Sequence, residues 1–432
     1  MTIRPVFDFA EWTQLISESE IRRLLAYNVP YYYAGGKPGV LPLTTLSKIL
    51  INTGTEQLIA LTEGHKDEVI EAYNYGQTAG WEPLRRTFAK RLREKDNINL
   101  DPEEGWKDVI ITTGSQQSIY LILDALISPG DVIITPKPVY LGFVNPAVKF
   151  GANVIAVATD EYGIVPEYIE KTIQIIEKEK IFKKLPEILY VIPDSDNPKG
   201  TTLPTKRRKA LYDIAVTYNM LIIEDAAYRE IQFTDNRLPT IKSFDKENTH
   251  VAYLRTTSKE AATLRVGYSV MPEPLKEHVL KAKGYVDLCT PTLIQYILNE
   301  YYSKYIDNVL PEIVTIYHRR AKAMIEAIDE TFPPGKRSDP TGGFFVWWES
   351  DNKDFNAKIF LEKEAIPNGI AYVPGSAFYP PIGYQFSSKT EKISKIEAKY
   401  NTMRLSFSYK TSQNISFGIR KLGELLSKKI GK

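Results

Sequence analysis

Between Asp108 and Val270 the chain alternates two kinds of segment, and this limits its fold more than any other feature. Short apolar runs occupy Asp108 to Thr112, Val132 to Thr135, Asn153 to Ala158, Ile188 to Ile192, Met220 to Glu224, Val251 to Arg255 and Val266 to Val270. Segments with apolar residues at helical spacing lie among them, at about Gln116 to Ile127, 165–178 and 205–217. Strands that are apolar on both faces and joined by helices belong in a mainly parallel sheet covered on both sides. The expected fold class is therefore α/β, with a seven-stranded type of sheet in a large domain.

Past residue 300 the pattern changes. One long helix is expected through Tyr301 to Ile328, broken near Pro311. Strands follow at Gly342 to Trp348, Ile370 to Val373 and Met403 to Phe407, then a last helix to about Ser427. This reads as a smaller α+β domain. Ser17-Glu18-Ser19-Glu20 resembles a capping box that opens a short helix, Ile21 to Tyr27, and this N-terminal segment is expected to pack on the small domain. The expected division is 1–50 for the N-terminal arm and part of the small domain, 51–305 for the large domain and 306–432 for the small C-terminal domain.

Composition narrows the function classes. The formal net charge of the 432 residues is +2, too weak a field to favour nucleic acid or an anionic membrane. A single cysteine, Cys289, permits no internal disulfide, and the four histidines lack the spacing of a zinc site, so no metal is expected. Met1 to Ala10 carries Asp8 and no apolar run, so no signal peptide is expected. No uncharged apolar stretch is long enough to span a membrane, and a cytoplasmic protein is expected.

Parallel sheets gather functional groups at the carboxyl ends of their strands. Thr113-Gly114-Ser115-Gln116 follows one strand and opens a helix, a place suited either to binding phosphate or to an ordinary N-cap. Asp225 ends the strand before it; it can keep a pyridinium nitrogen protonated or cap the next turn, and Tyr228 lies three residues on. Asn197-Pro198-Lys199-Gly200 is a turn by composition whose Asn can also donate to a phenolate. Lys259 follows the strand Val251 to Arg255. Alone it reads as a surface lysine; buried beside hydroxyls it becomes an imine-forming amine, with Arg265, Thr256 and Ser258 as a phosphate clamp. Trp347-Trp348 reads as core. Tyr31-Tyr32-Tyr33 reads as packing, with a substrate-pocket role as the alternative. Arg22 and Arg23 read as a solvated helix face, or as partners of an acidic substrate side chain.

The order of these groups resembles the fold-type I aminotransferases of class I/II, and most closely the branch of 2-aminoadipate, kynurenine and aromatic aminotransferases. The similarity runs over nearly the whole chain. It includes Ala34-Gly35-Gly36-Lys37-Pro38, Tyr75-Gly76 with Leu84-Arg85, Thr113-Gly114-Ser115-Gln116-Gln117 and Pro138-Val139-Tyr140-Leu141-Gly142. It continues through Asn197-Pro198-Lys199-Gly200, Asp225-Ala226-Ala227-Tyr228, Thr256-Thr257-Ser258-Lys259 and Leu264-Arg265-Val266-Gly267-Tyr268, and ends with Asn401-Thr402-Met403-Arg404-Leu405-Ser406-Phe407-Ser408.

The resemblance implies pyridoxal 5′-phosphate as cofactor, held in the large domain as an imine of Lys259. It implies that Asp225 pairs with the ring nitrogen, that Asn197 and Tyr228 bond the ring's 3-oxygen, and that Tyr140 stacks on the ring. Ser115, Gln116, Thr256, Ser258 and Arg265 then hold the phosphate, Arg404 takes the substrate α-carboxylate, with Asn197 and Gly36 beside the substrate, and Lys259 shuttles the proton. Tyr75 reaches the neighbouring subunit's phosphate, which implies a homodimer. The expected reaction is ping-pong transfer from an L-amino acid, aromatic first and 2-aminoadipate second, to 2-oxoglutarate. A lyase or decarboxylase on the same scaffold is the rival. A cofactor-sensing regulator is disfavoured because too few residues precede the Ala-Gly-Gly arm for a DNA-binding domain. Two departures from the branch stand out. Glu260-Ala261-Ala262-Thr263 replaces a loop one residue longer that contains Pro-Gly, and Asp194-Ser195-Asp196 replaces a Gln-containing run.

Overall fold

The apolar runs become strands, and their alternating side chains divide between two cores. In the computed structural model the described residues are 10–430, except 17, 36–50, 53, 57–58, 60–61, 64–73 and 262–263. In chain order the strands are β1 (Tyr31–Tyr32), β2 (Ile110–Thr112), β3 (Val132–Lys137), β4 (Asn153–Asp160), β5 (Gly163–Ile164), β6 (Ile188–Val191), β7 (Leu221–Asp225) and β8 (Val251–Thr256). Then come β9 (Gly267–Val270), β10 (Gly335–Arg337), β11 (Phe345–Ser350), β12 (Ile370–Ala371), β13 (Val373–Pro374), β14 (Tyr384–Ser387), β15 (Lys392–Lys395) and β16 (Thr402–Ser406).

The large sheet runs β15-β14-β4-β3-β6-β7-β8-β9-β2, with β5 paired to β4. Its pairs are parallel from β14 to β8, and β9 runs antiparallel to both of its neighbours. The seven expected strands are β4, β3, β6, β7, β8, β9 and β2. Within β6, Ile188 and Tyr190 face one core while Leu189 and Val191 face the other. Fully burying one such side chain stabilises by roughly 1.5–3 kcal/mol, so a slip of one residue is strongly disfavoured.

Three features differ from expectation. The hairpin β14–β15 extends the large sheet although it lies late in the chain, next to the strands of the smaller unit. The long helix is two helices, Thr292–Lys304 and Ile306–Thr331. They part at Tyr305, while Pro311 stays inside the second, where its ring removes a single ladder bond. The N-terminal helix spans Glu20–Leu25, with Ser19 at its N-cap and no side-chain capping bond, so the expected capping box does not form there; Ser17 lies outside the described residues.

The smaller unit is the four-stranded sheet β10-β11-β16-β13, with the helices Ile306–Thr331 and Ser412–Ile430 packed together. β1 joins it through parallel pairing with β12, and Tyr33 bridges Ala371 and Ser406 by backbone bonds of 2.7 and 2.9 Å. That extension lays Ala34 beside β16. Among the described residues no helix is long and apolar enough to cross a membrane, and no group of three His, Cys, Asp or Glu could hold a metal ion.

Candidate active site

The carboxyl ends of β2, β6, β7 and β8 open on one cavity. Asp225, the last residue of β7, is 3% exposed. Tyr190 on neighbouring β6 donates its hydroxyl to Asp225 Oδ2 at 2.9 Å, while Oδ1 is buried with no partner. Burial pushes this carboxyl up to about 6; the Tyr190 hydrogen bond and the nearby Lys259 ammonium pull the other way. An unsatisfied buried acceptor costs about 1–3 kcal/mol. A protonated ring nitrogen placed against Oδ1 would satisfy it and favour the ionised carboxylate.

Lys259 lies in the turn after β8. Its Nζ sits 4.8 Å from the ring centre of Tyr228 and 5.6 Å from that of Phe344. Burial lowers the amine to about 8, against the pull of Asp225 and Glu260, which raise it. A useful fraction is therefore neutral near pH 7, as a nucleophilic amine requires.

An anion cradle faces this amine. The helix Ser115–Leu126 begins at Gly114, whose φ of 77° suits glycine. Arg265 donates Nη1 to Ser258 Oγ at 2.8 Å, and Thr256 donates its hydroxyl to the same Oγ at 2.8 Å. A Cβ on Gly114 would meet Arg265 Nη2 at 2.6 Å, so the guanidinium closes over the helix start. The shortened loop thus still delivers Arg265, with a φ of 51° that costs a non-glycine residue about 1–2 kcal/mol. Helix amides, two hydroxyls and a guanidinium form a phosphate-binding set. Tyr140 sits above it and donates its hydroxyl to Gln116 Oε1 at 3.1 Å. Burial, and then the Asp225 charge, push that phenol up to about 12, so Tyr140 is a neutral wall.

Arg404 on β16 is 1% exposed. Nη1 donates to Asn197 Oδ1 at 2.7 Å and Nη2 to the Ala34 carbonyl at 2.5 Å, while Nε is buried without a partner. The guanidinium carbon lies 4.1 Å from the Phe345 ring centre and 4.8 Å from that of Phe378. No carboxylate pairs with it among the described residues, and burial lowers it to about 10. A buried guanidinium with only neutral partners suits an incoming carboxylate.

Eleven of the expected site residues line this cavity of about 210 Å³. Its groups fit pyridoxal phosphate: an amine for the aldehyde, an unsatisfied carboxylate oxygen for the ring nitrogen and a cradle for the phosphate. Residues 53–384 match the family described as aminotransferase class I and II. The chain belongs to this family.

The aminotransferase is 34% identical to aromatic-amino-acid aminotransferase 1 of Thermococcus litoralis, covering 98% of this chain and 95% of that one. It is 30% identical to the 2-aminoadipate transaminase of Thermus thermophilus, covering 82% of each. Among solved structures it resembles the Pyrococcus horikoshii kynurenine aminotransferase in complex with PMP, with a TM-score of 0.84, 31% identity and coverage of 98% of this chain and 97% of that one. The aminotransferase uses pyridoxal phosphate, in keeping with its family and with the geometry above.

Two expected residues stand apart. Tyr75 is 86% exposed and does not line the aminotransferase's own cavity, and Gly36 lies outside the described residues. The Asp194-Ser195-Asp196 run turns away from the ring site. Asp194 pairs with Arg208 at 2.7 Å, and Asp196 accepts from the Thr201 amide at 2.7 Å. Sequence reading missed Tyr190, Phe345, Ile192 and Ile21, which support or line the cavity. Tyr190 had a signal: it is the polar residue of an apolar run, on the face that the neighbouring strand shares with Asp225.

Proposed function

We propose that this aminotransferase takes the amino group of an L-amino acid with an aromatic side chain and passes it to 2-oxoglutarate in a two-stage, ping-pong cycle. The supporting observation is the cavity's inventory. Its cations are Lys259, Arg265 and Arg404, and its walls include Ile21, Ile192, Phe345 and the rings of Tyr140 and Tyr228. With Lys259 and Arg265 given to the cofactor, one buried guanidinium remains for the α-carboxylate, and the side chain meets apolar surface.

In this reading pyridoxal phosphate supplies the electron sink for the pair left when the substrate's Cα proton departs. Asp225 Oδ1 holds the ring nitrogen's proton. Asn197 accepts from Arg404 at Oδ1, which leaves its amide N–H free to donate; with Tyr228 it would bond the ring's 3-oxygen. Ser115, Gln116, Thr256, Ser258 and Arg265 would hold the phosphate, and Tyr140 would cover the ring. Lys259 Nζ takes the Cα proton and returns it, because burial keeps the amine basic yet partly neutral. Arg404 fixes the carboxylate through Nη atoms and the unpartnered Nε. Arg23 is bonded to Glu20 and Glu362, which leaves Arg22, exposed next to the cavity-lining Ile21, as the candidate partner of the distal carboxylate of 2-oxoglutarate or 2-aminoadipate. Tyr75 reaches the second subunit of a homodimer, a role its exposure allows.

A stopped-flow screen of donors against the holoenzyme tests this. Phenylalanine and tyrosine should convert the bound cofactor to its amine form fastest, and 2-oxoglutarate should restore it. Fastest conversion by aspartate, or release of ammonia without an amino-acid product, would refute the reading.

A further inference from the structure

A second groove, of about 750 Å³, lies between the carboxyl ends of β3 and β4 and the smaller unit, behind the turn that carries Asn197. Five cationic and three carboxylate side chains line it. Lys137 Nζ donates to Gln385 Oε1 at 2.6 Å. Lys199 Nζ donates to Thr159 Oγ1 at 3.1 Å and to the Asp160 carbonyl at 2.8 Å. Both lysines are half-buried, and neither pairs with a carboxylate among the described residues.

Of the nearby acids, Glu161 and Asp339 also line the groove, and three others are already engaged. Asp160 binds Arg207 at 2.5 and 2.6 Å, Asp196 accepts backbone amides, and Glu349 takes Lys399 and Lys353 at 3.0 Å each. Lys137, Lys199 and Lys399 all line the groove. Burial lowers both Lys137 and Lys199 and Lys399 adds to this, while Asp196 and Asp160 raise Lys199 and Glu397 raises Lys137. Trp347 and Tyr379, each 6% exposed, form an aromatic wall on the same groove. Buried charge is costly unless paired.

We propose that this groove is a second ligand site, distinct from the catalytic cavity, for a small anion carrying an aromatic ring. Its phosphate or carboxylate sits against Lys137 and Lys199, beside the Lys399 that Glu349 holds, and its ring packs on Trp347 and Tyr379. The large unit supplies two of the lysines and the smaller unit supplies the third with both rings.

The holoenzyme, whose catalytic phosphate cradle is filled by its cofactor, is titrated calorimetrically with phenyl phosphate and with inorganic phosphate. Phenyl phosphate should bind at least about tenfold more tightly than inorganic phosphate, and saturating donor amino acid should leave the binding intact. The double variant Lys137→Gln with Lys399→Gln should weaken binding about tenfold or more while amino transfer without ligand stays unchanged. The pair Lys137→Arg with Lys399→Arg should retain it. Absence of binding, binding that survives the Gln pair, displacement by the amino-acid donor, or equal affinity for the two probes each overturns the proposal.

Discussion

At the scale of single residues, Asp225 and Lys259 depart from their ordinary protonation in opposite senses. The Asp225 carboxyl is raised from 3.8 to about 6, so between these values the folded state holds a proton that the unfolded chain has lost. That contribution is present in acid and vanishes as pH rises through about 6. The apoprotein should therefore lose up to about 3 kcal/mol between pH 4 and 6 through this group, and Asp225→Asn should flatten that slope in urea midpoints. Lys259 is lowered from 10.5 to about 8, so stability through it is regained as pH climbs between those values. Lys259→Ala should abolish the first half-reaction and the yellow absorbance; normal turnover by that variant would remove the assignment. These two residues were readable because each is a polar side chain at the end of an apolar run. Phe345 was not, because an aromatic residue inside a strand looks like core, and here it is core on one side and cavity wall on the other; Tyr190, wholly buried, offered only the polarity of its hydroxyl in an apolar run.

At the scale of elements, the phosphate cradle depends on how closely β9 approaches the start of the helix Ser115–Leu126. A Cβ on Gly267 would lie 2.5 Å from the Ser115 amide nitrogen and 2.6 Å from the Gly114 carbonyl carbon, both backbone atoms that cannot swing aside. Gly267→Ala should push the two apart, cost about 1–3 kcal/mol of stability and release the cofactor faster on dialysis. Elements dominated by one driving force were the legible ones: β6 and β8 are buried throughout, and the helix Thr205–Thr217 matches its expected span. The hairpin β14–β15 gave no such signal, since Lys392–Lys395 is largely exposed and only Ile393 packs on a core cluster beside the strand pairing. The break at Tyr305 was displaced to Pro311 for a related reason. Proline is visible in a sequence, whereas the turn at Tyr305 comes from packing.

At the scale of the whole molecule, buried charges join segments far apart in the chain. Asp96, at the end of the helix Glu82–Asp96, accepts from Arg255 at 2.6 Å, Arg237 at 2.7 Å, Arg229 at 3.0 Å and the Tyr253 hydroxyl at 3.0 Å. Removing the carboxylate leaves Arg255 and Arg237 to share Glu230, and Arg229 with only the longer contact to Asp194. Asp96→Ala should lower unfolding free energy by about 3–5 kcal/mol in thermal or chemical melts, with little change in KM at temperatures where the fold survives.

Arg404 joins distant segments of another kind. Its guanidinium is held at once by an N-terminal carbonyl, a side chain of the large sheet and the strand that bears it. Damage to the short β1 pairing should therefore be felt first as poor capture of the amino acid, with KM rising while the melting temperature hardly moves. In such a lesion the enzyme would look starved rather than unfolded.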